Sequence, residues 1–337
     1  MQRGGQKEWL GNLAAFLASI VFIFLAAEAY VRFVVDDGMQ FDIEMWKYAT
    51  RVKRPSSNPL IGHEHQPNAH ARLMGVQFDT NAKGLRDRDF NYEKDPARPR
   101  ILMLGDSLTV GWGVDGAEVF SKRLEKLFAD AGKSVEVINT GVGNYNTVQE
   151  TEYFFTEGYK YNPDIVILNY FVNDAEPVPS SRPPNFFKRN CMSCVYFFGR
   201  LDAFTRNLSP SKEWTSYYLG LFGKGDTPGW LASRERMEAL ADFCKKRNIE
   251  LIIVNLPELH DVADYKFTAI TNLVKKVAEA KSVRFIDALP FVSGAQSSKL
   301  WVTVPDPHPN GYANELIAAG LFQALSAMNL ENTALHK

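Results

Sequence analysis

Four polar clusters in the chain hold side chains able to act together on a carbonyl group. They are Asp106-Ser107, Asn139 to Thr147, Asn173-Asp174 and Asp306-Pro307-His308. A serine hydroxyl becomes a nucleophile when a base takes its proton, a histidine is that base near neutral pH, and a carboxylate orients the ring. Asparagine amides and backbone N–H groups supply donors for the oxyanion that forms when the carbonyl is attacked. Nucleophile, donors, base and orienter are the parts of a hydrolase. Taken singly, each cluster is ordinary: Gly105-Asp106-Ser107 is common turn chemistry, and the proline-rich stretch before Gly311 could simply cap the last helix.

The elements around these clusters decide between the readings. Ile101–Leu104 is apolar at every position, as a parallel strand covered on both faces must be, and Gly105 then lets the backbone turn sharply. A βα rhythm follows, with strands expected at Val135–Asn139, Ile165–Tyr170, Glu250–Asn255 and Arg284–Ile286. Helices are expected at Val119–Ala131, Tyr145–Tyr159, Met237–Arg247, Ala263–Ala280 and Gly311–Met328. Such alternation implies a three-layer α/β/α sandwich around a parallel sheet. The first three clusters then fall at the carboxyl ends of strands, where ligands bind in open sheets of this kind. Pro307 and Pro309 push Asp306 and His308 into extended geometry. Residues two apart then project to one side, so the carboxylate can reach Nδ1 of the imidazole.

Composition limits the partners. The 337 residues are 45% apolar and 23% charged with a net charge of −1, which leaves no basic excess for nucleic acid. Trp9 to Ala27 is nineteen residues without a charge, about 28 Å of helix, close to the thickness of a bilayer's hydrocarbon layer. Arg3 and Lys7 before it and Asp36 and Asp37 after it set the N-terminus in the cytoplasm and the rest outside. Glu28 and Arg32 are spaced to pair on one helix face. The rival is a cleaved signal peptide with Ala27-Glu28-Ala29 as its site; the long apolar region and the charge inside that motif favour an anchor. The division expected is 1–8 cytoplasmic tail, 9–35 anchor, 36–97 connecting segment and 98–330 catalytic domain, at the bacterial cytoplasmic membrane.

Several other features bear on function. His63, His65 and His70 invite a zinc reading, but neither cysteine nor helical spacing supports it, and they are expected to be surface histidines. Asn81 to Asp87 reads as a turn delivering a short strand onto the main domain. Between Ala175 and Trp230 the rhythm lapses, with Pro177, Pro179, Pro183 and Pro184, which points to a lid or rim over residues 175–230. Within it, Cys191 and Cys194 are expected to form a local disulfide outside the membrane, whereas Cys244 reads as a small buried hydrophobe. Gly111 to Gly116 matches the dinucleotide pattern G-x-G-x-x-G but begins six residues past the strand, too late for the strand-to-helix turn that pattern needs.

The order and spacing of the four clusters resemble the SGNH (GDSL-type) hydrolase family over about residues 98 to 328. The resemblance implies Ser107 as nucleophile, His308 as base and Asp306 as its orienter. It also implies an oxyanion hole formed by Asn173 and two backbone N–H groups, those of Ser107 and Asn144. Two departures stand out. Asn144 occupies the place where the family usually has glycine; asparagine tolerates the left-handed backbone best after glycine, so its N–H can still serve. Asp306 stands two residues before His308, where many members have three. The expected activity is esterase action on acyl, most simply acetyl, esters of a small-molecule or polysaccharide substrate, with no metal or organic cofactor implied. The same acyl-enzyme could instead pass its acyl group to a sugar hydroxyl, and a catalytically silent membrane-bound assembly module is the third reading.

Overall fold

The computed structural model describes residues 2–178, 185–207, 214–304 and 306–328. A long helix α1 (Gln2–Tyr30) is continued by a turn of wider helix over Val31–Val35 and leads to α2 (Phe41–Arg51). Two small antiparallel pairs follow, β1 (Lys53–Pro55) with β2 (His63–His65), and β3 (His70–Leu73) with β4 (Val76–Asp79). The main domain then runs β5 (Arg100–Leu104), α3 (Ser107–Val110), α4 (Phe120–Asp130), β6 (Glu136–Asn139), α5 (Thr147–Thr156) and β7 (Ile165–Tyr170). An insertion carries α6 (Phe186–Asn190), α7 (Met192–Asn207) and α8 (Trp214–Phe222). The chain closes with α9 (Pro228–Lys246), β8 (Glu250–Asn255), α10 (Thr268–Ala280), β9 (Arg284–Asp287), α11 (Leu289–Val292), the hairpin β10 (Trp301–Thr303) and β11 (Asp306–Pro309), and α12 (Gly311–Ser326).

The five strands β6-β5-β7-β8-β9 pair in that order, all parallel. Alternate side chains enter opposite layers. Leu102, Leu104, Val166, Leu168 and Ile253 pack under α5, α9 and α10, while Ile101, Met103, Ile165, Ile167 and Val254 pack against α4 and α12. Each such side chain, once buried, contributes about 1.5–3 kcal/mol. The chain leaves β5 for β6 on one side and returns across it to β7 on the other. That reversal opens a crevice at the carboxyl ends of β5 and β7.

Some expectations shift. Helix α9 begins at Pro228, nine residues before Met237, because Thr227 caps it by accepting the Trp230 N–H and Pro228 stands in the first turn. Helix α10 begins at Thr268 rather than Ala263, since Asp261 Oδ1 accepts the N–H groups of Ala263 and Asp264 and holds them in a turn. The turn at Asn81 to Asp87 is present, with Asn81 Oδ1 accepting from Lys83 and Leu85, but no strand follows before Arg100. Where the rhythm lapses after Ala175, the described residues form helices. Of the prolines noted in the sequence, Pro179, Pro183 and Pro184 lie outside the described residues, as does Pro305 just before Asp306.

One described helix, Glu8–Val35 with its wider last turn, is long and apolar enough to cross a membrane. Glu28 pairs with Arg32 at 2.6 Å and also accepts the N–H groups of Met192 and Ser193, fastening the end of this helix to the start of α7. Cys191 and Cys194 are joined by a disulfide, and Cys244 is buried. The Gly111 to Gly116 stretch is a structural joint: the buried Arg86 guanidinium donates to the carbonyls of Val110, Gly111 and Val114.

Candidate active site

Ser107 opens α3 directly after β5. A Cβ on Gly105 would stand 2.0 Å from Thr109 Oγ1, so the turn that presents the hydroxyl accepts only glycine there. Asp106 caps α3 by accepting the Leu108 N–H at 2.9 Å. Its other oxygen accepts from Asn173 Nδ2 at 3.0 Å, which ties the end of β5 to the end of β7. Among the described residues no acceptor takes the second hydrogen of Asn173 Nδ2.

Across the crevice, β11 is extended, and Asp306 and His308 project to one side. His308 Nδ1 donates to Asp306 Oδ1, and the His308 backbone N–H donates to the same atom at 3.1 Å. Asp306 is fully buried, and Trp112 Nε1 donates to its second oxygen at 3.0 Å. With the proton fixed on Nδ1, Nε2 is the acceptor, and the Ser107 hydroxyl donates to it at 2.9 Å. Burial works against a charge on His308, but the Asp306 carboxylate and its hydrogen bond outweigh it and hold the ring above its ordinary pKa. Burial likewise works against the Asp306 charge, and His308 with its bonds overcomes it, so that carboxyl titrates below its usual range. The hairpin also caps the last helix, as Asn310 accepts the Ala313 N–H at 3.0 Å.

The third wall is the loop after β6. Asn144 has φ +65, the left-handed backbone expected of it, and it lines the same cleft as Ser107, Asn173 and His308. Among the described residues no acceptor takes the Asn144 N–H. The carbonyl of the same peptide unit, on Gly143, is held by Lys53 Nζ at 2.5 Å and by His63 Nε2 at 3.0 Å. A trans peptide points its C=O and N–H in opposite directions, so two donors on the Gly143 oxygen fix where the Asn144 N–H aims. Lys53 also donates to Asn144 Oδ1 at 2.9 Å.

The histidines are therefore not a surface group. Of the three, His70 alone is exposed; His65 is buried, and His63 is partly so. His65 Nδ1 donates to the Gly84 carbonyl at 2.9 Å, which leaves Nε2 to accept from the Tyr48 hydroxyl at 2.6 Å. The Tyr48 oxygen in turn accepts the Gly143 N–H at 2.8 Å. Burial, with the Lys53 charge nearby, drives the pKa of His63 and His65 down to about 3, and burial brings Lys53 down to about 7. Both rings are neutral near pH 7, and the bond that His65 Nε2 accepts from Tyr48 needs that ring neutral. Their signal in the sequence is the alternation His63-Glu64-His65, which puts two imidazoles on one side of a strand.

Beneath Asn173 lies an acidic layer. The buried Glu150 carboxyl has no hydrogen-bond partner among the described residues, and Asp174 accepts the Phe171 N–H at 2.6 Å. Burial first, then the neighbouring carboxyl groups, push both well above the usual carboxylate range. The cleft itself has a volume of about 270 Å³ and includes Phe41, stacked on His308 with centroids 6.1 Å apart, and Trp214 and Tyr218 from the insertion. It also includes Glu258 and His260, which sequence reasoning passes over although they follow β8 at the same sheet edge.

The profile of the GDSL-like lipase/acylhydrolase family matches residues 103–316. Among solved structures, the chain is similar to the psychrotrophic esterase EstA from Pseudoalteromonas sp. at 16% identity and a TM-score of 0.45, covering 68% of this chain and 97% of that one. It is similar to TesA at 13% identity and a TM-score of 0.45, covering 68% and 98% of the two chains. LAE5, an alpha/beta hydrolase enzyme from the metagenome of Lake Arreo, Spain, gives 15% identity and a TM-score of 0.46, with 68% and 96% covered. Comparison with curated proteins finds no match.

Proposed function

Because the chain belongs to the GDSL-like lipase/acylhydrolase family, we propose that it is a serine esterase whose nucleophile is Ser107, whose base is His308 and whose orienting carboxylate is Asp306. The observation that carries the reading is the chain of contacts from Asp306 through His308 Nδ1 and Nε2 to the Ser107 hydroxyl, the last at 2.9 Å. The Ser107 oxygen attacks the ester carbonyl carbon while its proton passes to Nε2. The N–H groups of Ser107 and Asn144 and the Asn173 amide receive the oxyanion. Collapse expels the alcohol, which takes the proton from His308. Water then gives a proton to the same nitrogen as it attacks the acyl-enzyme, and collapse releases the carboxylic acid while the Ser107 oxygen takes that proton back from His308.

The substrate we infer is an acyl ester, most simply an acetyl ester, on a carbohydrate of the cell envelope. The helix over residues 9–35 anchors the enzyme in the bacterial cytoplasmic membrane, with residues 1–8 inside and the domain at 98–330, including the rim at 175–230, outside. The Cys191–Cys194 disulfide supports that side, since disulfides persist in oxidising compartments. Labelling with a fluorophosphonate tests the nucleophile: wild type should label and Ser107→Ala should not. An ester panel with and without polysaccharide acceptors then separates hydrolysis from acyl transfer. Equal labelling of both proteins would remove Ser107 from the chemistry.

A further inference from the structure

The segment that leaves β8, Leu256-Pro257-Glu258-Leu259-His260, builds a second acid–histidine pair in the same cleft as Ser107. His260 Nδ1 donates to Glu258 Oε1, and the His260 backbone N–H donates to Oε2 at 2.9 Å. The arrangement repeats that of Asp306 and His308: acid at i, histidine at i+2, and both the ring and the backbone of the histidine bonded to the carboxylate. Glu258 is 4% exposed, so the carboxylate is a buried part of the fold rather than a solvated charge. The ring is clamped by Trp214, stacked at 4.0 Å between centroids, and by Trp301, edge-on at 5.7 Å. The Trp301 indole in turn donates to the Leu259 carbonyl at 2.7 Å.

Two things follow. With its proton committed to Glu258, His260 presents Nε2 as a lone-pair acceptor. No serine serves it: among the described residues Nε2 has no hydrogen-bond partner, and the side chain stays about one-third exposed (35%). A histidine oriented this firmly, yet left with an open acceptor beside an aromatic wall of Trp214 and Tyr218, suits a hydroxyl group on a ring whose C–H face lies against the aromatics.

We propose that Glu258 and His260 form a substrate-binding dyad, in which His260 Nε2 accepts a hydrogen bond from a free hydroxyl on the alcohol portion of the ester, a carbohydrate or similar polyol. This deepens the esterase reading and rests on it. Glu258 acts through His260 as a positioning residue, fixing the tautomer and the ring.

The test uses the full-length protein in detergent and two acetates of similar size, methyl 6-O-acetyl-glucopyranoside, which keeps its other hydroxyls, and cyclohexylmethyl acetate, which has none. His260→Ala should lower the ratio of kcat/KM for the glucoside to that for the cyclohexyl ester about tenfold, mainly through KM, since a site made for a hydroxyl discriminates by that bond. His260→Gln, with an amide group near the place of Nε2, should recover part of the ratio, and Glu258→Gln should lose part of it. Melting curves confirm that the variants compared are folded. An equal loss on both substrates, or an unchanged ratio in folded His260→Ala and His260→Gln, would overturn the dyad. If wild type fails to label with fluorophosphonate at Ser107, the esterase reading falls instead, and the dyad's role in it falls as well.

Discussion

Two regions meet at the loop that carries Gly143 and Asn144, and they do different work. The strand-end loops of the α/β domain bring the groups proposed to act on the ester: Ser107 after β5, Asn144 after β6, Asn173 after β7, with His308 on the hairpin opposite. The segment from Phe41 to Gly84 brings no group placed to react, only partners for the two peptides that meet at Gly143: Tyr48 on the Gly143 N–H, and Lys53 and His63 on the Gly143 carbonyl. It also supplies Phe41 against the His308 ring. In this reading the sheet carries the chemistry and the segment sets the aim of one oxyanion donor. Because a hydrogen bond to a developing charge depends on direction, a part of the chain outside the βα rhythm can govern turnover without touching the reacting atoms.

If that division holds, damage on the sheet side should be far the more severe. Ser107→Ala or His308→Ala should lower esterase turnover by several orders of magnitude, roughly 10⁴ or more, while Asp306→Asn could leave somewhat more activity. Turnover at the wild-type level in Ser107→Ala would break the comparison at its root. Asn173→Ala comes next, with kcat expected to fall about 10²–10³ and KM nearly unchanged. Its amide also holds Asp106 at 3.0 Å, so the melting temperature decides how the loss is interpreted. A folded variant with unaltered kcat would take Asn173 out of the oxyanion hole.

The sheet side is legible in the sequence because it obeys two local rules. A strand such as Ile165–Tyr170, apolar but for Asn169, announces itself, and the polar residues at its carboxyl end fall where sites gather; the strand begins and ends where that pattern puts it. Pro307 and Pro309 make the extended geometry of Asp306 and His308 readable as well. The segment side obeys no such rule. Tyr48 is an interior residue of an ordinary amphipathic helix, and Lys53 one of three basic residues, with Arg51 and Arg54, that run up to Pro55. Their partners lie 95 and 90 positions away, so nothing within reach of either residue hints at the contact. His63 and His65 read as surface residues in the sequence because polar side chains near Pro55, Pro59 and Pro67 look solvated until a hairpin folds over them. The rule about strand ends also reaches Glu258 and His260, but a second histidine is unexpected once the first has been assigned.

On the segment side, Tyr48→Phe removes the hydroxyl that accepts the Gly143 N–H and donates to His65 Nε2. Two buried groups then lose their partner, which costs about 1–3 kcal/mol of stability. With the loop less firmly held, kcat should fall about tenfold while fluorophosphonate still labels Ser107. Lys53→Met should give a similar fall in kcat by releasing the Gly143 carbonyl. The comparison sharpens if both variants label yet turn over slowly. It breaks if either matches wild type in kcat, because the aim of the Asn144 N–H would then not depend on the segment.

The smallest expected effect separates the regions by pH. His308 titrates above its ordinary value, so the acid limb of kcat/KM should be centred above about 6.5, where the base gains its proton. As its folded pKa is raised, the stability His308 contributes is present below the unfolded value and is lost as pH rises through the folded one. His65 behaves in the opposite sense. Its folded pKa is lowered to about 3 by burial and the Lys53 charge, so its contribution is present above the unfolded value of about 6.5 and is lost as pH falls toward 3. Within that window the unfolded chain binds a proton that the folded one refuses, and stability should fall by up to about 1.4 kcal/mol per pH unit from His65 alone. His65→Gln removes that uptake, so its plot of unfolding free energy against pH, between about 6 and 4, should be shallower by that amount. The acid limb of kcat/KM should keep its midpoint, because His308 is untouched. A slope equal to that of wild type would show His65 already charged in the folded protein, and the bond it accepts from Tyr48 could not then exist.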